Sequence, residues 1–192
     1  MSEVIPEIIP PEHWHSRGTA RHARRLLGKY LVRRSRGLNE ARMITEVEAY
    51  DGESDLACHA AKGRTPRTEV MYGAGGRWYV YLCYGMHEML NLVVGPEEWP
   101  AAVLIRGVEG IGGPGRLTRA LKIDRKLNRA PASPAVGLHV EDSGVDIPRR
   151  LIQAAPRIGV NYAGPVWSAK PWRFFFDPLA LKNGAAVKNA TR

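Results

Sequence analysis

Cysteine is scarce: Cys58 and Cys83 are the only two in 192 residues, and neither sits in a C-x-x-C or a ligand cluster. A disulfide framework and a structural zinc are therefore not expected, and a reducing compartment suits the chain. Long apolar runs are missing too. The longest uncharged one, about Trp78 to Met86, falls far short of the roughly 20 residues that a spanning helix needs. The N-terminus, MSEVIPEIIPPEHWHS, carries acids and prolines where a signal peptide wants a basic start and an apolar centre. These absences predict a soluble, intracellular protein without a membrane partner. No internal repeat is visible.

Acids are outnumbered, with 19 Asp and Glu against 28 Lys and Arg, for a formal net charge of +9. That balance favours a polyanionic partner, and the short apolar runs point to nucleic acid over membrane. The hydrophobic (44%) and charged (24%) fractions are those of an ordinary globular chain. A chain of this length is expected to form one domain that hides roughly 70% of its unfolded surface.

Along the chain, residues 1–16 read as an irregular leader. Thr19 is placed to N-cap a helix bearing Ala20, Ala23, Leu26 and Leu27 on one face, with Gly28 as C-cap. Strands are predicted at Tyr30–Arg34 and Ala41–Tyr50 around the turn SRGLNE, then at Arg77–Tyr84, Met89–Val94, Ala101–Val108 and Trp172–Phe176. Residues 51–76 read as loop, IGGPGRLTRALKI as a turn into a short helix, and RKLNRAPASPAVGL as irregular. The domain is expected over 17–180, followed by a mobile tail at 181–192. Adjacent strands in hairpins, rather than βαβ units, predict an antiparallel α+β fold.

TEVEAYDG carries the first chemistry. Alternation along a strand puts Glu46, Glu48 and Tyr50 on one face, with Thr45, Val47 and Ala49 on the other. A carboxylate beside a phenol can act as general base if a pocket positions a water against it; the alternative is two solvated glutamates. The two acids are too close on one face to flank a sugar as a glycosidase pair does. In RWYVYLCYGM, Tyr84 falls at a hairpin tip beside Gly85. It either packs across the turn or serves as a wedge between stacked bases. Arg64, Thr65 and Arg67 of GRTPRT could hold a phosphate. Eight basic residues and no acid lie between Arg17 and Asn39, which reads as a solvated face or a phosphate-facing one. His59 stands alone, and His13 and His15 form an H-x-H in the leader; no metal and no cofactor are expected.

Together ITEVEAYDG, His59 nine residues after Tyr50, GRTPR, WYVYLCYGM, Asn91, VLIRGVE, GPGRLTRAL, RIGVNYAG and KPWRF resemble the alkyladenine (3-methyladenine) DNA glycosylases, in order, over roughly 17 to 176. The resemblance implies a single compact mixed domain with a curved antiparallel sheet and a protruding β-hairpin. It implies that Glu48 activates a water and Arg106 helps hold it. Tyr50, His59 and Tyr81 would sandwich an extruded base, Asn91 would exclude a normal guanine, and Tyr84 would be the wedge. Arg64, Thr65, Arg67 and Met86 are the expected contacts to the DNA backbone. Glu46 fits the motif without a catalytic role.

The implied activity is hydrolysis of the N-glycosidic bond of an alkylated or deaminated purine in double-stranded DNA, without a cofactor, by a monomer. The place of action would be the nucleoid of a bacterium or the nucleus of a eukaryote. A non-catalytic duplex-binding module and a hydrolase of free nucleosides are the alternatives. The leader, GPEEWP, His87 and the tail after Phe176 depart from the family pattern, which bears on loop contacts and lesion preference.

Overall fold

The computed structural model describes residues 5–35 and 37–182. In chain order its elements are β1 (Glu7–Ile8), α1 (Thr19–Leu26), β2 (Tyr30–Ser35), β3 (Leu38–Asp51), β4 (Trp78–Cys83), β5 (His87–Val94), β6 (Ala101–Val108), β7 (Ile111–Gly112), α2 (Pro114–Ala120), β8 (Leu138–Asp142), β9 (Gln153–Ala155), α3 (Gly164–Ala169), β10 (Arg173–Phe175) and α4 (Pro178–Lys182). Short 3₁₀ turns connect them. The strands form an antiparallel sheet in the order β1-β8-β2-β3-β6-β5-β4, with β10 joining β3 to β9 and β7 pairing with β6. It is an open α+β sheet of hairpins, as the adjacent strand signals predict. No helix among the described residues is long and apolar enough to cross a membrane.

β3 organises the molecule because it is long enough for three partners. Its first half pairs with β2, its second with β6, and Glu46 to Glu48 also pair with β10. Val47 and Ala49 face the main core with Val103, Ile105, Leu90, Leu92, Trp78 and Phe174, and the apolar sides of α1 and α2 cover that face through Ala23, Leu26, Leu117 and Leu121. Burying each such large side chain stabilises by roughly 1.5–3 kcal/mol. Trp78 brings its indole N–H inside without penalty, since it donates to the Leu138 carbonyl at 3.0 Å. The opposite face carries a smaller cluster, where Tyr79, Val93 and Ala102 meet Cys58, Ala60, Val70 and Met71 from the long connection between β3 and β4.

Several local expectations shift. Gly18, with φ +110°, precedes the first helical residue, and the Thr19 hydroxyl donates to Asp51 instead of capping the helix. The helix ends before Leu27, and Gly28 serves a positive-φ turn into β2. In the stretch expected to be an irregular leader, Glu7 and Ile8 pair with β8, and Trp14 is buried with its carbonyl accepting from Gly95 N at 2.7 Å. β8 and β9 were not expected: β8 begins at Leu138, in the stretch read as irregular for Pro131, Pro134 and Gly137, and Gln153–Ala155 has no β-branched or aromatic residue. Residues 183–192 of the expected tail lie outside the described residues.

Candidate active site

The site is built on one row of the sheet. Arg173, Glu48, Leu104, Asn91 and Tyr79 lie in register on β10, β3, β6, β5 and β4, so their side chains share the face away from the main core. Tyr50 is opposite Ala102 in the next row, and the small alanine leaves room beside the ring. Along β6, Ile105 pairs with Val47 and Gly107 with Glu46, which leaves Arg106 as an extra residue in a β-bulge. The bulge brings Arg106 Nε to 3.1 Å from Glu46 Oε1 and 3.4 Å from Glu48 Oε1. Gly107 suits the bulge, since a Cβ there would come 3.3 Å from the Cβ of Glu46, and Glu46 would have to give by a few tenths of an ångström. Arg173 Nη1 also donates to Glu46 Oε1, at 3.0 Å. Glu46 is thus occupied by two guanidinium groups, while Glu48 keeps a more varied set of partners.

Glu48 is 0% exposed, yet its surroundings are polar. Tyr50 Oη donates to Oε2 at 2.7 Å and the Ile158 amide donates to Oε1 at 2.8 Å. Ile158 itself is 53% exposed, so a residue that bonds the buried carboxylate also reaches the surface. Burial raises the Glu48 pKa, and Arg106, then the Ile158 amide and the Tyr50 hydroxyl, hold it back down; Glu46 adds to the rise. The carboxylate is therefore more basic than an exposed one and is aimed by three donors. Burial also pushes the Tyr50 hydroxyl well up, helped by the Glu48 charge, which keeps the phenol a donor.

Aromatic rings gather beside this acid. His59 meets Tyr81 edge-on with centroids 4.7 Å apart, and its Nδ1 is hydrogen-bonded to Tyr79 Oη at 2.8 Å. Tyr50 and Tyr81 pack against the same small cluster of Tyr79, Val93 and Ala102. Burial, with Arg67 and Lys62 nearby, lowers the His59 pKa to about 4, so the ring is neutral at pH 7. Asn91 is buried with its Nδ2 donating to the carbonyls of Tyr79 at 3.1 Å and Met89 at 3.3 Å. Glu48, Arg106, Tyr50, His59, Tyr81 and Asn91 all belong to this one face.

The remaining expected residues lie around it. Tyr84 is 86% exposed and Met86 70%, both at the β4–β5 hairpin tip. Tyr84 has φ +49° and Gly85 φ +69°, and Met86 N closes the turn on Cys83 O at 3.1 Å. The Arg67 guanidinium lies 4.8 Å from the Tyr81 centroid. Arg64 is taken up by Glu98 at 2.8 Å and Glu69 at 3.3 Å. Thr65 and Thr68 exchange backbone-to-hydroxyl bonds that shape their loop.

Four residues given no role by the sequence reading also belong here. Ile158 supplies the amide to Glu48. Tyr162 donates its hydroxyl to Ala57 O at 2.9 Å, and burial raises its pKa. Asp55 and Arg157 form a buried pair. The segments DGESD and RIGVNYAG were both visible, but their partners stand 102 residues apart and no spacing links them. No group of three or more His, Cys, Asp or Glu suited to a metal occurs among the described residues. A cavity of about 750 Å³ between α1, β1 and the β8–β9 connection contains none of these site residues.

The site thus joins a covered, triply bonded carboxylate to clustered tyrosines and a histidine on one face of a basic α+β chain. Residues 13–112 and 109–178 match the family described as Methylpurine-DNA glycosylase (MPG), and the chain belongs to that family. It is 45% identical over 184 residues to a protein of Anaeromyxobacter dehalogenans strain 2CP-C, covering 92% of this chain and 85% of the relative. It is 46% identical over 174 residues to one of Myxococcus xanthus, covering 86% and 88%. A relative in Psychrobacter cryohalolentis is 45% identical over 201 residues, covering 89% and 92%. All three bear the name "Putative 3-methyladenine DNA glycosylase".

Proposed function

We propose that the protein is a monofunctional DNA glycosylase that extrudes a damaged purine from duplex DNA and hydrolyses its N-glycosidic bond. The observation that carries this reading is Glu48, a carboxylate raised in basicity, held by Arg106, Tyr50 and the Ile158 amide next to the Tyr50, Tyr81 and His59 rings. The names of the relatives agree with it.

Extruding a nucleotide costs a few kcal/mol. Basic side chains grip phosphates without regard to sequence, and Tyr84 fills the vacated stack. Arg67, over Tyr81, and Met86, at the hairpin tip, meet the backbone in this reading; Arg64 does so only in competition with Glu98 and Glu69. The extruded base lies between the tyrosines and His59, and a cationic alkylated purine gains roughly 0.5–2 kcal/mol over such rings. Asn91, with its amide fixed, rejects the bulkier edge of a normal guanine.

Glu48 takes a proton from a water that Arg106 helps hold, the water oxygen bonds to C1′, and the C1′–N bond breaks with its electrons leaving on the base. The carboxylate also faces the cationic sugar that develops, and general base help of this kind contributes on the order of 10²–10⁴ in rate. Water is the nucleophile, so the product is an abasic site on an intact strand.

The test is incubation with a duplex carrying one 1,N6-ethenoadenine or one hypoxanthine. Release of the base with strand cleavage only after alkali is the expected result. Binding without release marks a duplex-binding module, and release from free nucleoside alone marks a nucleoside hydrolase; either overturns the reading.

A further inference from the structure

Arg157 and Asp55 are buried side by side, remote from solvent and outside the set of groups that touch Glu48. Arg157 Nη2 donates to Asp55 Oδ1 at 2.8 Å and Nη1 to Asp55 Oδ2. The same guanidinium donates to Ala49 O at 2.8 Å and Trp167 O at 3.2 Å, and it lies 4.8 Å from the Tyr50 centroid. Asp55 in turn accepts from the amides of Asp51 and Ala57, both at 3.1 Å. One pair therefore ties together β3, the loop that follows it, and the segment running from Pro156 into α3.

The placement relative to the acid is specific. Ala49 stands between Glu48 and Tyr50; its carbonyl is held by Arg157 and its amide donates to Trp172 O at 2.9 Å. Ile158, the next residue after Arg157, supplies the amide on Glu48. The pair also carries a desolvation cost that its hydrogen bonds must offset. It desolvates two charges, and Arg157 Nε is buried with no partner among the described residues.

We propose that Asp55 and Arg157 are positioning residues for the reaction: by locking Ala49 and presenting the Ile158 amide, they aim both oxygens of Glu48 and hold the Tyr50 ring against the incoming base. The proposal deepens the reading of Glu48 as the acid that activates water and rests on it. The charged and titratable groups around Glu48 are Glu46 and Tyr50 on β3, Arg106 on β6, Arg173 on β10 acting through Glu46, and Arg157 itself. Among these only the Arg157 segment supplies a backbone donor, so its displacement leaves Glu48 with fewer bonds to its charged form.

Two variants test this, Arg157→Lys, which retains charge but loses the fork, and the double variant Asp55→Leu/Arg157→Met, which leaves no orphaned charge. Thermal melts report folding, ¹³C NMR of the Glu48 carboxyl reports its titration, and single-turnover base release is followed against pH with duplex affinity alongside. Expected are folded proteins with little change in affinity for undamaged duplex, Glu48 titrating at higher pH, an acid limb of the rate profile moved the same way, and a rate loss on the order of 10²-fold from misalignment. A folded variant with unchanged titration and rate overturns the proposal. So does a rate loss without a shift in titration, or failure of both variants to fold, since each leaves the pair a structural role alone. If the parent protein releases no base, the glycosylase reading fails, while the NMR titration still decides whether the pair aims Glu48.

Discussion

The Tyr50 hydroxyl donates to Glu48 Oε2 at 2.7 Å, so the phenol and the carboxylate form one unit on one strand face. Two residues apart on β3, they cannot move independently: a tilt of Tyr50 also moves a donor on the carboxylate. In the reaction proposed above, this single hydrogen bond would couple recognition to chemistry.

Replacing the acid separates binding from chemistry. Glu48→Gln is expected to leave duplex affinity nearly unchanged and to lower base release by on the order of 10²–10⁴. It also carries a stability signature. The native pKa of Glu48 is raised, so its contribution is fully present below the ordinary carboxylate range and is lost as pH rises through the native value. The variant's Tm should match the parent's near the acid end and exceed it at pH 7; a gap that narrows as pH rises contradicts the burial argument.

Arg106 is the strongest influence holding the Glu48 pKa down. Arg106→Gln should therefore raise it, moving the acid limb of the single-turnover profile to higher pH, whereas Arg106→Lys should shift it less. An Arg106→Gln profile with an unmoved limb would show that the guanidinium in the bulge does not govern the acid.

His59 is expected to stay neutral far below its ordinary range, because burial, Arg67 and Lys62 lower its pKa to about 4. Its ring proton resonances should be flat from pH 8 to about 5. The linked stability is present above the unfolded value of 6.5 and is lost as pH falls towards 4. Titration near 6.5 in the NMR spectrum would mean that the ring is solvated.

Tyr84 holds a left-handed conformation, φ +49°, at the exposed tip. Such strain costs of order 1–3 kcal/mol in a non-glycine residue. Tyr84→Gly should therefore melt no lower than the parent while binding a lesion duplex more weakly, and Tyr84→Ser should lose affinity without the gain in stability. Unchanged lesion affinity in both variants removes the wedge role.

Much of this architecture was legible locally. The strands around TEVEAYDG, WYVYLCY and VLIRGV show themselves because alternation and β-branched residues are properties of short stretches. Glu48 and Tyr50 fall on one face by the same period. β8 was hidden behind Pro131, Pro134 and Gly137, β9 has no β-branched or aromatic residue, and the role of Thr19 was misread because Asp51, its actual partner, arrives from the far end of β3.

Sequence alone determined that this is a basic antiparallel α+β chain with an acid and a phenol side by side, since covalent backbone geometry dictates which residues of a strand share a face. Tertiary structure alone decided that the acid is covered, that a bulge in β6 turns Arg106 onto it, and that Asp55 meets Arg157 across 102 residues of chain. Those contacts follow from how distant segments pack, and pairing over such a separation leaves no periodic trace along the chain.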